Sequence, residues 1–298
     1  MEKYYSKDGI DIYNCDNIDL LKSLESESVD LIYSDILYNT KKNFNDYNDN
    51  LGSSIEAINW YRPRFIEMKR ILKSNGSIYI HCNWRLDSYI RILLDEIFGE
   101  DCFKNRIYRK HSHMRSAFKN YDSQMDIILY YVKDKNNYKF NDEIDIKTKV
   151  VPLYENGLVV NDYVLEFNDN IIDLSKYNKH WLLDKSEVEN MVLKDEIVIL
   201  DNLPYRKYNT VTISNIWDEE EMIDNYSRIK DSNSYDTPKP LAVLERIIKC
   251  SSNEDDTVAD FFLGGGTTAV VCKNLKRKGV FCDISKKACD VTIKKLSE

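Results

Sequence analysis

The sequence predicts an α/β fold: a mixed, mostly parallel sheet with helices on both faces, permuted in strand order and carrying a small inserted lobe. Three observations predict it. Strand-type and helix-type segments alternate through the first third of the chain, the pattern of a parallel sheet covered on both sides. The same rhythm resumes after Pro240, where a strand feeds a glycine-rich loop and then a helix. Between these regions the rhythm is lost, and the chain becomes rich in Asn, Asp and Tyr. The expected organisation is therefore 1–133 and 236–298 as two halves of one domain, with 134–235 as the inserted lobe.

Ile10–Tyr13 reads as a short strand and Ile18–Leu24 as a helix. Val29–Ser34 (VDLIYS) has the near-continuous apolar character of a strand buried on both faces. Ile55–Leu72 carries Ile58, Phe65, Met68, Ile71 and Leu72 as an apolar helix face, and Lys73–Gly76 reads as its stop. Ser77–Cys82 is the next strand, Tyr89–Phe98 a helix ended by Gly99, and Met125–Val132 a further strand. After Pro240 come a helix at Leu241–Cys250, a strand at Thr257–Phe261, a helix at Thr267–Lys276 and a strand at Gly279–Asp283.

The 298 residues are 43% hydrophobic and 31% charged, with only 5 Pro and 9 Gly, which excludes collagen-like, low-complexity and wholly disordered chains. No apolar run approaches the roughly 18 residues of a membrane span, and the polar start MEKYYSKDGI lacks a signal-type apolar segment. Seven scattered cysteines without a CxxC pair fit reduced thiols in a cytoplasmic protein, with neither a disulfide framework nor a metal site. A net charge of −8, from 42 Lys+Arg against 50 Asp+Glu, argues against a bulk nucleic-acid coat and leaves room for a local basic patch.

Asp260–Ala269 reads DFFLGGGTTA: a strand ending in Asp, three glycines, then a helix. Glycines serve where a ligand approaches the backbone or φ is positive, and the helix N-terminus offers free N–H groups. Gly264, Gly266 and Ala269 match the dinucleotide fingerprint in form, and Asp283 follows Gly264 by 19 residues, near the expected ~20. No Gly-Lys-Ser/Thr follows, so this is not a P-loop; a nucleotide-type site and a plain glycine turn both fit. The loop lies so near the chain end that only one further strand is expected. The remaining parallel strands must come from the N-terminal third, so the sheet is permuted.

Val29–Ser34 runs into Asp35-Ile36-Leu37-Tyr38-Asn39-Thr40, placing a carboxylate and an aromatic at the ligand-binding rim of the sheet. Here the sequence resembles the β-class amino-methyltransferases of DNA from restriction–modification systems. Their motif is Asp-Pro-Pro-Tyr, often followed by Asn-Thr, and it precedes the cofactor motif along the chain. NCDNIDLLKSLESESVDLIYSD, KRILKSNGSIYIHCN, MDIILYYVK, TPKPLAVLERIIKCSS and DFFLGGGTTA resemble the family's other elements, over nearly the whole chain. The resemblance implies a permuted Rossmann-like fold dependent on S-adenosylmethionine. It also implies transfer of a methyl group to N6 of adenine in a specific double-stranded DNA sequence. N4 of cytosine more often goes with Ser in place of Asp; a shift to Ser34 would lose the aromatic.

An exocyclic amine is a poor nucleophile because its lone pair is delocalised into the ring. Acceptors for both its N–H groups push it toward the tetrahedral geometry that attack requires. By resemblance Asp35 is the first acceptor, the carbonyl of Ile36 or Leu37 the second, and Tyr38 the stacking face for a flipped-out base, worth ~1–3 kcal/mol. Resemblance also assigns Asp260, Phe262, Gly264, Gly266 and Thr267 to the methionine and loop side of the cofactor, beside Asp35. Thr237, Lys239 and Pro240 fall at its carboxylate end, Asp283 at the ribose hydroxyls and Asp16 near the adenine amino group. Two departures stand out. Ile36 and Leu37 replace both prolines, whose rings would fix φ at about −65°, and Phe261 replaces another. An impaired cofactor- or DNA-binding partner subunit and an N4-cytosine enzyme are the alternatives.

Lys104, Arg106, Arg109, Lys110, Arg115 and Lys119, interleaved with aromatics and opposed only by Asp101 between 101 and 120, form the expected DNA-backbone patch. By family analogy 134–235 is the target-recognition lobe, with Tyr205–Tyr208 and Ser214–Trp217 as contact or packing elements. Trp217 is expected in the core and Asp218–Glu221 in solvent, and His81 has no role. The expected partners are double-stranded DNA and either a second copy or a partner methyltransferase or restriction subunit.

Overall fold

The computed structural model describes residues 1–42, 48–111, 121, 123–142, 149–157, 163–167, 170–208, 213–223 and 239–298. The chain divides into two compact units, Met1–Asn141 with Ser214–Glu298, and Asp142–Ile213.

The larger unit is built on a nine-stranded sheet. Its strands are β1 (Tyr5–Lys7), β2 (Ile10–Asn14), β3 (Val29–Asp35), β4 (Leu72–Cys82), β5 (Phe103–Lys110), β6 (Met125–Val132), β7 (Ile216–Trp217), β8 (Thr257–Asp260) and β9 (Lys278–Asp283). They lie in the order β1-β2-β9-β8-β3-β4-β6-β5-β7. The run from β2 to β4 is parallel, whereas β6 is antiparallel to both β4 and β5. The permutation read from the sequence is thus the observed topology: late strands β8 and β9 sit between early strands β2 and β3.

Helices α1 (Asn17–Ser23), α2 (Ser54–Ile71) and α3 (Asp87–Phe98) pack together in one layer. Helices α4 (Leu241–Ser251), α5 (Thr267–Asn274) and α6 (Lys286–Ser297) form the other. Burial on both faces explains the continuous apolar run of β3, in which Val29, Leu31, Ile32 and Tyr33 are all at most 1% exposed. Among the described residues no helix is long and apolar enough to cross a membrane. The seven cysteines are free thiols, all buried except the partly covered Cys15.

Two sequence expectations need correction, and one segment left without a secondary structure is now placed. Lys73–Gly76 is no stop; it belongs to β4, with Leu72 paired to Val29. Gly76 is there because a Cβ would come within 2.8 Å of the Asp30 carbonyl oxygen. The first half of the basic run is strand β5. Residues 134–141 stay with the large unit: Lys139 bridges the buried Asp30 and Asp256 at 3.0 and 2.6 Å, and Asn141 Nδ2 donates to the Lys249 carbonyl at 2.8 Å.

The smaller unit has its own core of Leu153, Leu165, Ile172, Leu174, Trp181, Val188 and Ile197. A three-stranded antiparallel sheet joins Lys149–Pro152, Ile197–Leu200 and Leu203–Tyr208. Its helix, Lys185–Leu193, starts with an Asp184–Glu187 capping box.

Candidate active site

β8 continues to β9 on one side, while its other neighbour, β3, was laid down far earlier in the chain. This is a topological switch point, where the carboxyl ends of adjacent strands open a crevice for ligands. β3 ends in Asp35 and β8 in Asp260, so both motifs flank one crevice.

The loop after Asp35 lacks its prolines and is held by hydrogen bonds instead. Ile36, only 2% exposed, uses the N–H that a proline would lack to donate to the His81 carbonyl at 3.1 Å. The Tyr61 hydroxyl donates to the Leu37 carbonyl at 2.8 Å, and Asn83 Nδ2 to that of Tyr38 at 3.1 Å. Asn39 takes a left-handed φ of 50°, tolerable for Asn. Buried Asp49 accepts from the Asn39 and Thr40 amides, both at 2.9 Å. The Leu37 carbonyl is thus already engaged by Tyr61.

Both Asp35 oxygens have partners. The Tyr38 hydroxyl donates to Oδ1 at 2.8 Å and Lys239 Nζ to Oδ2 at 2.5 Å. Burial pushes the Tyr38 hydroxyl well above the ordinary phenol range, so it remains a donor. Lys239, assigned from sequence to the cofactor's carboxylate end, thus grips the motif acid and sits 5.4 Å from the Tyr38 ring centre. Pro240 caps α4 and the Thr267 hydroxyl reaches the Lys239 carbonyl at 3.4 Å, which sets the lysine's place.

The glycine loop is pinned from both ends. Asp260, 1% exposed, accepts from the Phe262 amide at 3.0 Å and the Thr268 hydroxyl at 2.7 Å. Burial, helped by the negative charges of Asp35 and Asp283, raises its carboxyl to about 7 despite those bonds. Asp283 accepts from the Gly264 amide at 2.8 Å and the Ser285 amide at 2.9 Å. Gly264 and Gly266 have φ of 52° and 77°, so glycine is needed at both.

Across the crevice, Asp16 caps α1 and pairs with Arg64 at 3.0 Å. The guanidinium stacks on Trp60, 3.4 Å from the ring centre, and Trp60 lies 6.2 Å from Phe262. Trp60, Tyr61, Arg64 and Asp49 went unnoticed in the sequence because helical periodicity marks such residues only as one face of α2 or as loop.

One member of the basic patch is corrected. Strand alternation turns Arg109 inward; fully buried, it pairs with Asp126 at 2.6 Å and donates to the Met222 carbonyl at 3.1 Å. Arg109 is therefore not a phosphate contact. Arg106 pairs with Asp87 at 3.2 Å and Lys104 donates to the Lys135 carbonyl at 3.2 Å, whereas Lys110 is exposed. Arg115, Lys119 and Thr237 lie outside the described residues. Trp217 is buried as expected. Breaking a buried ion pair costs about 3–5 kcal/mol, so Arg109→Gln is expected to lower stability by about that much in denaturant unfolding. Wild-type stability would contradict the pairing.

Among the described residues no group of three or more His, Cys, Asp and Glu is placed to hold a metal. The crevice instead offers glycine backbone, aromatic faces and converging carboxylates, a donor set suited to a cationic ligand with ribose hydroxyls and an aromatic base.

Comparison with known proteins agrees. Type II methyltransferase M.HpaI of Haemophilus parainfluenzae is 29% identical over 283 residues, covering 95% of this chain and 73% of that protein. DNA adenine methyltransferase YhdJ of Escherichia coli is 28% identical over 281 residues, covering 93% and 79%. Two solved structures share the fold. A Thermus thermophilus DNA modification methylase complexed with S-adenosyl-L-methionine has a TM-score of 0.56 at 16% identity, covering 96% of this chain and 92% of its own. The cytosine-N4-specific PvuII DNA methyltransferase has a TM-score of 0.55 at 14% identity, with the same coverage. A family model described as DNA methylase, for N6- and N4-directed enzymes, matches residues 29–295, and the chain belongs to that family.

Proposed function

We propose that this chain is a β-class enzyme that methylates N6 of adenine in double-stranded DNA with S-adenosylmethionine, its Asp-Ile-Leu-Tyr loop serving in place of Asp-Pro-Pro-Tyr. The observation that carries the reading is the loop itself: Asp35 and Tyr38 stand beside the glycine loop, held by hydrogen bonds where prolines are absent. Adenine is favoured over cytosine by Ser34. It is fully buried and strand alternation turns it away from the Asp35 face, so it offers the crevice no hydroxyl.

The cofactor, when bound, supplies a methyl group on a positively charged sulfur. Gly264 and Gly266 let it approach the backbone, Asp283 and Asp16 take its hydroxyls and adenine edge, and Phe262 lines the wall. The target adenine leaves the duplex and stacks on Tyr38. Its amino group displaces the Tyr38 hydroxyl from Asp35, so that Asp35 and the Ile36 carbonyl each accept one N–H and the lone pair is freed for attack. Asp35 takes the surplus proton after transfer, and Lys239 keeps its carboxylate aimed.

Two expected results follow from the electrostatics. A cation bound beside Asp260 favours the ionised carboxylate, so binding releases a proton. Affinity for S-adenosylmethionine should then rise with pH through about 7. Calorimetry in buffers of different ionisation enthalpy reads this directly, and pH-independent affinity without proton release contradicts it. On the DNA side, Lys110 is the most exposed described cation of the patch. Lys110→Ala should reduce the salt slope of DNA binding by about one; an unchanged slope removes Lys110 from the interface. Unit Asp142–Ile213 serves as the target-recognition lobe in this reading.

The test is the product. Wild-type protein, S-adenosylmethionine and unmethylated DNA should yield N6-methyladenine on nucleoside digestion and mass spectrometry. N4-methylcytosine would reassign the base, and cofactor binding without product would mark a partner-dependent subunit.

A further inference from the structure

Asp35 is one end of a row of polar side chains that crosses the sheet. His81 stands opposite it on β4. Asp126 lies on β6, two residues from Ile128, which is opposite His81, and Arg109 is opposite Asp126 on β5. Residues in register, or two apart along a strand, share a face. The hydroxyl of Tyr79, two residues before His81, lies 2.8 Å from Ser251 of α4, so this is the face that α4 covers. His81 is fully buried. Its Nδ1 lies 2.8 Å from the Tyr33 hydroxyl and 3.8 Å from Asp35 Oδ1, and its Nε2 lies 3.4 Å from Asp126 Oδ2.

The Asp126 carboxylate 3.4 Å from Nε2 favours the tautomer with its hydrogen on that nitrogen, although the two are not aligned as a hydrogen bond; Nδ1 then accepts from the Tyr33 hydroxyl. Burial raises Tyr33 well above the ordinary phenol range, which keeps it a donor. Burial would raise Asp126 too, but neighbouring His81 and the positive charges of Arg109 and Lys239 hold it below the usual carboxylate range. For His81 burial prevails and lowers its titration below 6.5, although Asp35 and Asp126 pull the other way. The groups facing it are Tyr33 and Asp35 of β3, Tyr38 of the loop, Asp126 of β6 and Lys239 before α4. Behind Asp126 stand Arg109, at 2.6 Å, and His111, at 4.0 Å.

We propose that His81 is a positioning residue for methyl transfer: standing beside the Asp126–Arg109 pair as a neutral imidazole, it holds Tyr33 and leaves Asp35 Oδ1 to the target amino group once that group displaces the Tyr38 hydroxyl. Protonation puts a hydrogen on Nδ1, directed at the Tyr33 hydroxyl, and a positive charge 3.8 Å from Asp35 Oδ1. The imidazolium then competes with the substrate for the same carboxylate oxygen. The proposal rests on Asp35 being the amino-group acceptor.

The experiment measures single-turnover methyl transfer to DNA, at S-adenosylmethionine concentrations saturating at every pH, for wild type, His81→Asn, Asp126→Asn and Asp35→Ala, with cofactor affinity and thermal unfolding alongside. Wild type should lose rate on acidification below about pH 6.5. His81→Asn should lower the plateau on the order of a hundredfold and abolish the acid limb. Asp126→Asn, which removes a group that raises the His81 titration, should move the limb to lower pH. A purely structural role would scale the rate equally at every pH. An acid limb unchanged in both variants, or a wild-type plateau in His81→Asn, overturns the proposal while Asp35→Ala remains inactive. Wild-type rates in Asp35→Ala overturn the underlying reading instead.

Discussion

Asp35→Ala is expected to reduce single-turnover methyl transfer by about 10²–10³-fold or more, the usual loss when a group aimed at developing charge is removed. The amino nitrogen gains positive charge as it attacks, and without Asp35 only the Ile36 carbonyl faces its N–H groups. The variant also leaves Lys239 and the Tyr38 hydroxyl without the carboxylate they share. Asp35→Asn should fall in the same class, because its amide oxygen accepts one N–H but carries no charge. Affinity for S-adenosylmethionine should change far less than the rate, since Gly264, Gly266 and Asp283 are untouched. Single-turnover kinetics with a parallel binding titration separates the two; equal losses in rate and affinity would make Asp35 a cofactor ligand.

Gly266→Ala should cost stability on the scale of the Arg109→Gln loss. Its φ is +77°, and an added Cβ would stand 2.2 Å from the Thr292 hydroxyl oxygen and 2.6 Å from its methyl carbon. Left-handed backbone costs a non-glycine residue about 1–2 kcal/mol, and overpacking adds about 1–3 kcal/mol. The result also reaches function, because shifting Thr292 or the loop displaces the start of α5. Gly9 is the control: φ is +78°, and a new Cβ would meet nothing nearer than Lys278 Cγ at 3.4 Å, so Gly9→Ala should cost only the backbone part. Thermal unfolding of the two variants reads the difference. Equal losses would show that the Thr292 contact relaxes freely.

The parts of this molecule that were legible in the sequence are those written in local chemistry. The buried run VDLIYS announced β3, and the three glycines after Asp260 announced a turn with positive φ. Their order along the chain announced the permutation. Features set by partners from distant segments were not legible. Arg109 looked like one of six surface cations, but the two-residue period of β5 sends it beneath the sheet to Asp126. Missing prolines looked like a loss of rigidity, yet Tyr61, Asn83 and Asp49, none adjacent to the motif, hold the loop by hydrogen bonds. Lys239 was recognisable by its motif, but only the fold brings it to Asp35 across 204 positions of sequence. The inserted unit began later than its composition suggested, because Lys139 and Asn141 are tied to the base of the large sheet.

The most direct measurement is made in living cells. Wild type and Asp35→Ala would be expressed in a host lacking N6-adenine methylation, and the chromosomal DNA digested and quantified for N6-methyladenine. N6-methyladenine in the first strain and none in the second is the predicted result. N6-methyladenine at equal levels in both, or in neither while the wild-type protein is folded and binds S-adenosylmethionine, would contradict catalysis by the Asp-Ile-Leu-Tyr loop.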